Sequence, residues 1–324
     1  MNSESGAHDV HEPDGPDGPD GPDGPKGANG ADEHPARLRV GIIGPGRVGV
    51  ALGVALTRAG HEVTAVAAVS DASVRRARHH FAGARIAEPA DVIASADLVL
   101  LTMPDDALPG LISGLAATRA TVTGRLLAHT SGRYGTGVLE PVTRLGALPL
   151  ALHPVMTFTG RSDDLQRMRG ISFGITAPDQ LRPVAEALVI EMGGEPVFIT
   201  EENRGLYHAA LASAANHLVA LVTESCDLLQ AAGAADPARM LGPLLSAALD
   251  NALRLGDAGL TGPVARGDAG TVARHLEALR DAAPEALAVY IALARLTADR
   301  ALAAGLLTAP DAERLLDVLS GAAL

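Results

Sequence analysis

Side chains that can move a proton follow two apolar stretches that are typical of buried strands. Residues 125–129 lead into Ser131, and residues 147–152 lead into His153. In an open α/β sheet, ligands bind beyond the carboxyl ends of the strands. An imidazole at such a position can donate or accept the proton that accompanies hydride transfer. We therefore predict that His153 handles a proton, and that Ser131 orients its ring or binds a substrate oxygen. The alternative is a loop histidine held by local hydrogen bonds.

A later stretch rich in alanine and leucine carries a second set of polar residues. Tyr207, His208, Ser213 and Asn216 all fall within a helix predicted over residues 203–233. Ser213 and Asn216 are three residues apart and therefore share a helix face. Such residues either face solvent, pack between helices or point at a ligand in an interdomain cleft. We predict that His208 and Asn216 position a substrate in such a cleft.

Metal ligands and lysines are scarce in this chain. The histidines at the strand ends and on the helix lack the spacing of a common metal-binding motif, and Cys226 is the only cysteine. We therefore expect no metal site. Lys26 is the only lysine and lies near the N-terminus, so no other part of the chain can supply a catalytic lysine.

A glycine-rich turn stands between a predicted strand at 38–43 and a predicted helix that follows it. Its glycines have three separate uses: Gly44 makes the tight turn, Gly46 lets a pyrophosphate approach the backbone, and Gly49 allows close packing of helix on strand. The helix N-terminus offers unpaired N–H groups to the phosphates. We therefore predict a dinucleotide-binding loop made of Gly44, Pro45, Gly46, Arg47, Val48 and Gly49.

The end of the second predicted strand, 62–69, bears on the choice of cofactor. Enzymes that use NAD place an acid there to bind the ribose 2′-OH. Here Ser70 and Asp71 follow the strand, with Arg75 and Arg76 one turn later. The serine and the arginines suit the 2′-phosphate of NADP, whereas Asp71 could bind a ribose or cap the next helix. We predict NADP (NADPH), with Ser70 and Arg75 as contacts and NAD as the alternative.

A third strand end is expected beside the nicotinamide. The stretch ADLVLL, residues 96–101, is followed by Thr102, Met103 and Pro104 and then by two acids. Its position beyond a strand favours cofactor contact by Thr102 and Pro104. The proline and the acids also suit the first turn of a helix, and both interpretations can hold at once.

The order of predicted elements indicates the fold class. Strands are predicted at 38–43, 62–69, 97–103, 125–129, 147–152, 171–177 and 195–200, with helices between most of them. This alternation predicts an α/β fold with a doubly wound, mainly parallel Rossmann-type sheet. After residue 200 the pattern becomes helical, at 203–233, 236–256, 271–282, 284–304 and 309–322. We predict a tail over 1–36, a dinucleotide-binding domain over 37–200, and an all-α substrate and dimerisation domain over 201–324.

Composition excludes several classes of partner. Nine acids and Lys26 lie in residues 1–36, which carry −8 of the net charge of −12. The richness of this stretch in Gly, Pro and Asp predicts a disordered tail. The remainder is only mildly acidic, which argues against nucleic acid as a partner. A basic-then-apolar leader and an uninterrupted apolar run of membrane-spanning length are both missing. We therefore expect a cytoplasmic protein without a membrane anchor.

Six segments together resemble a bacterial family in which a Rossmann-like domain precedes a helical domain of unknown function (DUF2520). They are GIIGPGRVGVAL, TMPDDAL, HTSG, LHPVMTF, YHAALASAANHLVAL and LTGPVARGDAGTVARHL. The family is distantly similar to pyrroline-5-carboxylate reductase and to the 6-phosphogluconate-dehydrogenase-like superfamily. The resemblance implies a homodimer formed by the helical domain, with the active site in the cleft between domains.

A looser similarity concerns mechanism. Ser131 and the His153-Pro154 pair resemble the serine and histidine of prephenate and arogenate dehydrogenases, in which the histidine takes a hydroxyl proton and the serine supports it. Here His-Pro-Val-Met replaces His-Pro-Met. The sequence predicts an NADP-dependent oxidoreductase acting on a small carbonyl, hydroxy-acid or imine substrate. A non-catalytic NADP(H)-binding sensor or assembly protein and a prephenate-type enzyme are the alternatives.

Overall fold

The computed structural model describes residues 37–321, so the tail predicted over residues 1–36 lies outside the described part of the chain. Within 37–321, eight strands form one sheet in the order β3-β2-β1-β4-β5-β6-β7-β8. The strands are β1 (Arg39–Ile43), β2 (Glu62–Ala67), β3 (Arg85–Ile86), β4 (Leu98–Leu101), β5 (Leu126–His129), β6 (Leu148–Pro154), β7 (Ser172–Thr176) and β8 (Glu195–Phe198).

The first six strands run parallel, which confirms the predicted Rossmann-type sheet. Their carboxyl ends therefore meet at one edge, where the glycine turn and the polar strand ends lie. β7 pairs antiparallel with β6, and β8 runs parallel to β7. This reversal places Gly174 of β7 directly opposite His153 of β6.

Helices cover both faces of the sheet. They are α1 (Arg47–Arg58), α2 (Asp71–His80), α3 (Pro89–Ser95), α4 (Leu108–Ala117), α5 (Glu140–Thr143), α6 (Asp164–Arg167) and α7 (Arg182–Glu191). Two apolar clusters fill the space between sheet and helices, one on each face. Near-continuous apolar strands such as β4, buried along its whole length, are what a sheet covered on both faces requires.

From Arg204 onward the described chain is helical. The helices are α8 (Arg204–Ala212), α9 (Leu218–Ala231), α10 (Pro237–Leu255), α11 (Gly262–Ala265), α12 (Ala269–Ala282), α13 (Leu287–Ala303) and α14 (Ala309–Gly321). A π-helical segment, Ser213–His217, joins α8 to α9 without a break. A third apolar cluster holds α11 to α14 together. In contrast, α9 and α10 bury none of their residues within the chain.

Candidate active site and cofactor groove

The glycine turn has the backbone that its three glycines predict. Gly44 lies at φ +89, a left-handed conformation that glycine adopts without strain. The backbone at Gly46 is open to an approaching ligand, because a Cβ there would meet nothing closer than the Gly44 carbonyl oxygen at 3.9 Å. Gly49 is closed, because a Cβ there would collide with the Thr102 hydroxyl. A turn, an open approach and a tight packing point thus occur in the predicted order.

A groove of about 860 Å³ extends from this turn along the carboxyl ends of β1, β2 and β4. Pro45 and Pro104, two of the predicted cofactor contacts, line it together with Ala67, Ala68 and Ala87. Thr102 also lines it, but its hydroxyl donates to the Gly44 carbonyl oxygen at 2.6 Å. This hydroxyl therefore holds the glycine turn in place instead of being free for a ligand.

The start of α2 presents a serine and an arginine to this groove. Ser70 caps the helix and accepts a hydrogen bond from the Ser73 amide at 3.2 Å. Arg76 lines the groove and donates from Nε to the Pro45 carbonyl oxygen at 3.2 Å. Arg75, the arginine predicted to contact the cofactor, is exposed and does not line the groove. Helix phase explains the difference, since adjacent residues point about 100° apart.

His153 lies at the end of β6 and is hydrogen-bonded to a residue of α8. Its Nδ1 is 2.8 Å from the Tyr207 hydroxyl, with the two rings edge to face. Gly174 makes the contact possible, because a Cβ there would collide with the Tyr207 hydroxyl. The other nitrogen, Nε2, lies beside Gly132, only 2.9 Å from where a Cβ of that residue would be. Two glycines therefore leave room for this imidazole and its partner.

Arg204 lies beneath this pair and is only 2% exposed. Its guanidinium donates to the Thr176 hydroxyl at 2.7 Å and to the Gly174 carbonyl oxygen at 3.0 Å, while Nη1 has no partner among the described residues. Burial, followed by the Arg204 charge, lowers the pKa of His153 to about 4. Burial also raises the pKa of Tyr207, partly offset by Arg204. Near neutral pH the imidazole and the phenol are both uncharged.

Ser131 has a different contact from the one predicted. Its hydroxyl accepts hydrogen bonds from the amides of Arg133 at 3.2 Å and Tyr134 at 3.3 Å, which makes it a loop-forming residue. In the described part of the chain the hydrogen-bond partner of His153 is Tyr207 and not Ser131. The predicted support of the imidazole by Ser131 is thus replaced by support from α8.

His129 is fully buried and also shapes this loop. The Ser131 amide donates to its Nδ1 at 3.2 Å, so Nε2 carries the proton and donates to the Gly135 carbonyl oxygen at 2.8 Å. Burial lowers the pKa of His129 to about 4. Both ring nitrogens are used by the backbone, so this histidine is structural. No group of three His, Cys, Asp or Glu side chains suited to a metal ion occurs within residues 37–321.

His208 and Asn216, the predicted positioning residues, do come together with His153. All three line a cavity of about 380 Å³ between the end of β6 and the α8–α9 helix. The rings of His153 and His208 are 6.3 Å apart. Asn216 lies in the π-helical segment, a local widening that often marks functional sites.

Three functional candidates were not among the predicted site residues: Tyr207, Arg204 and Arg76. Tyr207 stands next to His208 in the sequence, but its contact with His153 could not be predicted, because the two residues are 54 positions apart in the chain. A glycine in the strand that pairs with the His153 strand is the one signal that could have suggested room for a ring there.

Comparisons with known proteins agree with this fold. Residues 22–154 match the Rossmann-like domain family, and residues 171–297 match the domain of unknown function DUF2520. No curated protein matches the chain in sequence.

Three solved structures illustrate the likeness. A candidate NADP oxidoreductase from Bacteroides fragilis is 23% identical with a TM-score of 0.66, and the match covers 81% of this chain and 98% of that one. An imine reductase from Pseudomonas sp. is 20% identical with a TM-score of 0.56, covering 78% and 88%. A reductive aminase from Aspergillus terreus, solved with NADPH and ethyl-5-oxohexanoate, is 16% identical with a TM-score of 0.54, covering 89% and 94%.

The two domain matches follow one another along the chain and span most of it, as the sequence motifs predicted. The chain therefore carries a Rossmann-like domain followed by a DUF2520 domain.

Proposed function

We propose that this protein is an oxidoreductase that uses NADP(H) to transfer a hydride to or from a small carbonyl, hydroxy-acid or imine substrate. One observation carries the proposal: the half-buried His153–Tyr207 pair lies at the same sheet edge as an open glycine turn. The structural likeness to an imine reductase and a reductive aminase supports the same class of reaction.

The residues around the glycine turn fit a nicotinamide dinucleotide. The open backbone at Gly46 and the amides that begin α1 would hold the pyrophosphate. Ser70 and Arg76, which line the groove beyond β2, would contact the adenosine ribose and favour NADP over NAD. Pro104 lines the same groove beyond β4. When bound, the cofactor supplies or accepts the hydride.

The His153–Tyr207 pair can serve either direction of proton transfer. If the Tyr207 hydroxyl donates to Nδ1, the imidazole carries its proton on Nε2 and can pass it to a carbonyl oxygen or imine nitrogen while the Tyr207 proton moves to Nδ1. The negative charge then lies on the Tyr207 oxygen, near the positive charge of Arg204. If Nδ1 donates to Tyr207, Nε2 is free to accept a proton from a hydroxyl or amine. The pair can therefore exchange tautomers without losing contact.

His208 and Asn216 would hold the substrate against this imidazole. They form the helical side of the 380 Å³ cavity, and His153 with the segment 155–157 forms the other side. Asn216 offers both a donor and an acceptor, which suits a carbonyl, a carboxylate or an amine equally. The prephenate-type alternative loses support, because the serine–histidine contact on which that similarity rests is not made.

A homodimer through α8, α9 and α10 is the second part of the proposal. Large apolar side chains are exposed on these helices, among them Leu206 at 76%, Val219 at 66%, Leu244 at 64% and Leu253 at 79%. A patch of this kind marks an interaction site. Leu253→Asp should dissociate the dimer, and sedimentation analysis of variant and parent would measure it.

The α8–α9 helix also has the length and composition of a membrane span, with a mean hydropathy of 1.2. Polar residues interrupt this helix, so it does not contradict the expectation that no uninterrupted apolar run reaches that length. However, His217, Glu224 and Asp227 lie along it, and ionisable side chains are costly in hydrocarbon. We therefore expect this helix to pack against another protein chain and not against lipid.

The test is hydride transfer by purified protein. NADPH consumption is followed with a panel of cyclic imines, ketones, aldehydes and 2-oxo acids, and the parent is compared with His153→Ala. Loss of turnover with unchanged NADPH affinity would support the proposal. Unchanged turnover in His153→Ala would remove this residue from the mechanism. Tight NADPH binding with no turnover on any substrate would favour the sensor or assembly alternative.

A further inference from the structure

A second groove, of about 290 Å³, adjoins the glycine turn. It shares Gly46 and Arg76 with the cofactor groove. Its apolar side is the face of α1 that carries Val50, Ala51 and Val54. The last turn of α2 and the segment 160–165 form its other sides. We call it the arginine groove, after its lining residues Arg47, Arg76 and Arg161.

Positive groups dominate this groove. Besides the three arginines, the polar rings of His79 and His80 line it, and burial lowers the pKa of His80. No acid stands in the first turn of α1, so the positive end of the helix is not offset there. Within residues 37–321 none of the three arginines forms an ion pair.

The one carboxylate in the lining does not balance these charges at the groove surface. Asp164 is 3% exposed and accepts hydrogen bonds from the Thr159 amide at 3.0 Å, the Thr159 hydroxyl at 2.9 Å and the Gly160 amide at 2.7 Å. It is therefore committed to the loop that carries Arg161. A mildly acidic fold thus gathers three unpaired guanidiniums around one small groove.

Two of the arginines are held in place before any ligand arrives. Arg76 donates to the Pro45 carbonyl oxygen. The stem of Arg47 lies against Gly160, with its Cγ 3.2 Å from where a Cβ would be, and Gly160 has φ +78. Preorganised guanidiniums match phosphate oxygens well, because each presents a rigid fork of donors.

We propose that the arginine groove binds a phosphate group. The phosphate has two chemical sources: the 2′-phosphate of NADP, reached past Gly46 and Arg76, or a separate phosphorylated molecule held beside the cofactor. The first source rests on the proposed function, whereas the capacity of the groove for phosphate does not.

The experiment is calorimetric titration of the full chain with NADP⁺, NAD⁺, adenosine 2′-phosphate and inorganic phosphate, the last with and without saturating NAD⁺. The variant is Arg161→Gln, because Arg161 is exposed, lines only this groove and lies outside the cofactor groove. The control is Arg167→Gln, an exposed arginine on α6 that does not line the groove. Loss of one charge-assisted hydrogen bond should weaken the phosphate ligand about tenfold, and the control should leave its affinity unchanged.

The outcomes separate the two sources. Weaker NADP⁺ and adenosine 2′-phosphate with unchanged NAD⁺ identify the cofactor's 2′-phosphate. Weaker inorganic phosphate in NAD⁺-saturated protein, with unchanged NADP⁺, identifies a separate molecule. If neither Arg161→Gln nor the double variant Arg47→Gln/Arg161→Gln weakens the binding of any phosphate ligand, the groove proposal is wrong, even if the protein binds a dinucleotide. Phosphate binding without any dinucleotide binding would instead overturn the proposed function alone.

Discussion

Replacing Tyr207 by phenylalanine removes one oxygen atom and leaves the ring beside His153 in place. The lost contact is the 2.8 Å hydrogen bond to Nδ1. A net hydrogen bond contributes about 1 kcal/mol, and a buried polar group left unpaired costs about 1–3 kcal/mol. His153 is half-buried, so the cost should lie within that range. At about 1.4 kcal/mol per tenfold in rate, kcat should fall about tenfold to a hundredfold.

The chain offers a matched control for this substitution. Tyr290 donates to or accepts from Nδ1 of His275 at the same distance, 2.8 Å, with the rings again edge to face. This second pair lies on α12 and α13, away from the cavity that holds His153. Tyr290→Phe therefore removes the same chemical contact and should leave kcat unchanged.

The assay measures kcat and KM of both variants on one substrate, together with NADPH affinity by calorimetry. A positioning role for Tyr207 predicts a fall in kcat with little change in KM or in NADPH affinity, since Tyr207 lines neither the cavity nor the cofactor groove. Equal kcat values in Tyr207→Phe and Tyr290→Phe would refute the reasoning. An equal loss of thermal stability in the two variants would not change this conclusion, because it would affect the variant and its control alike.

Three further predictions follow from other contacts. Gly174→Ala should lower kcat at least as much as Tyr207→Phe, since its Cβ would lie 2.6 Å from the ring carbon that bears the Tyr207 hydroxyl; steady-state kinetics would show this, and parental kcat would contradict it. Arg76→Gln should weaken NADPH binding about tenfold and leave NADH binding unchanged, whereas Arg75→Gln should weaken neither, because only Arg76 lines the groove. Calorimetry measures both affinities, and weaker NADPH binding in Arg75→Gln but not in Arg76→Gln would contradict the assignment. The pKa of His129 lies near 4 in the folded chain and near 6.5 when exposed, so the unfolded state binds the extra proton between these values. The free energy of unfolding should then fall by about 3 kcal/mol for this residue as pH drops from 6.5 to 4, and urea titrations showing no such loss would exclude a buried neutral histidine.

The sequence was sufficient for the sheet because its strands carry an unambiguous pattern. Apolar runs such as Leu98–Leu101 are buried along their whole length, and the turn chemistry between elements is explicit. The two-residue strand β3 was not predicted, because Arg85 and Ile86 are both exposed and show no periodicity. The reversal at β7 was also not predicted, since a strand's direction depends on its neighbours and not on its own residues.

The candidate site was predictable in its positions but not in its contacts. The end of β6 correctly identifies where His153 lies, because every parallel strand delivers its last residues to one edge. The direction of the Ser131 hydroxyl, in contrast, is set by the amides of residues 133 and 134, which it caps. Likewise, which of Arg75 and Arg76 lines the groove depends on how α2 is rotated relative to the glycine turn, because successive side chains point about 100° apart around a helix.

The absence of lysine from residues 37–324 gives the buried Arg204 a physical rationale. In the proposed mechanism proton transfer falls to the His153–Tyr207 pair, and a neutral imidazole both donates and accepts a hydrogen bond. Burial of a guanidinium with one unpartnered nitrogen is costly, so it calls for a compensating effect. Arg204 holds β6, β7 and α8 together through Ala151, Gly174 and Thr176. Its charge also disfavours protonation of His153. One buried side chain therefore joins the elements that carry His153 and Tyr207, and its charge adds to the burial that keeps the imidazole neutral near pH 7.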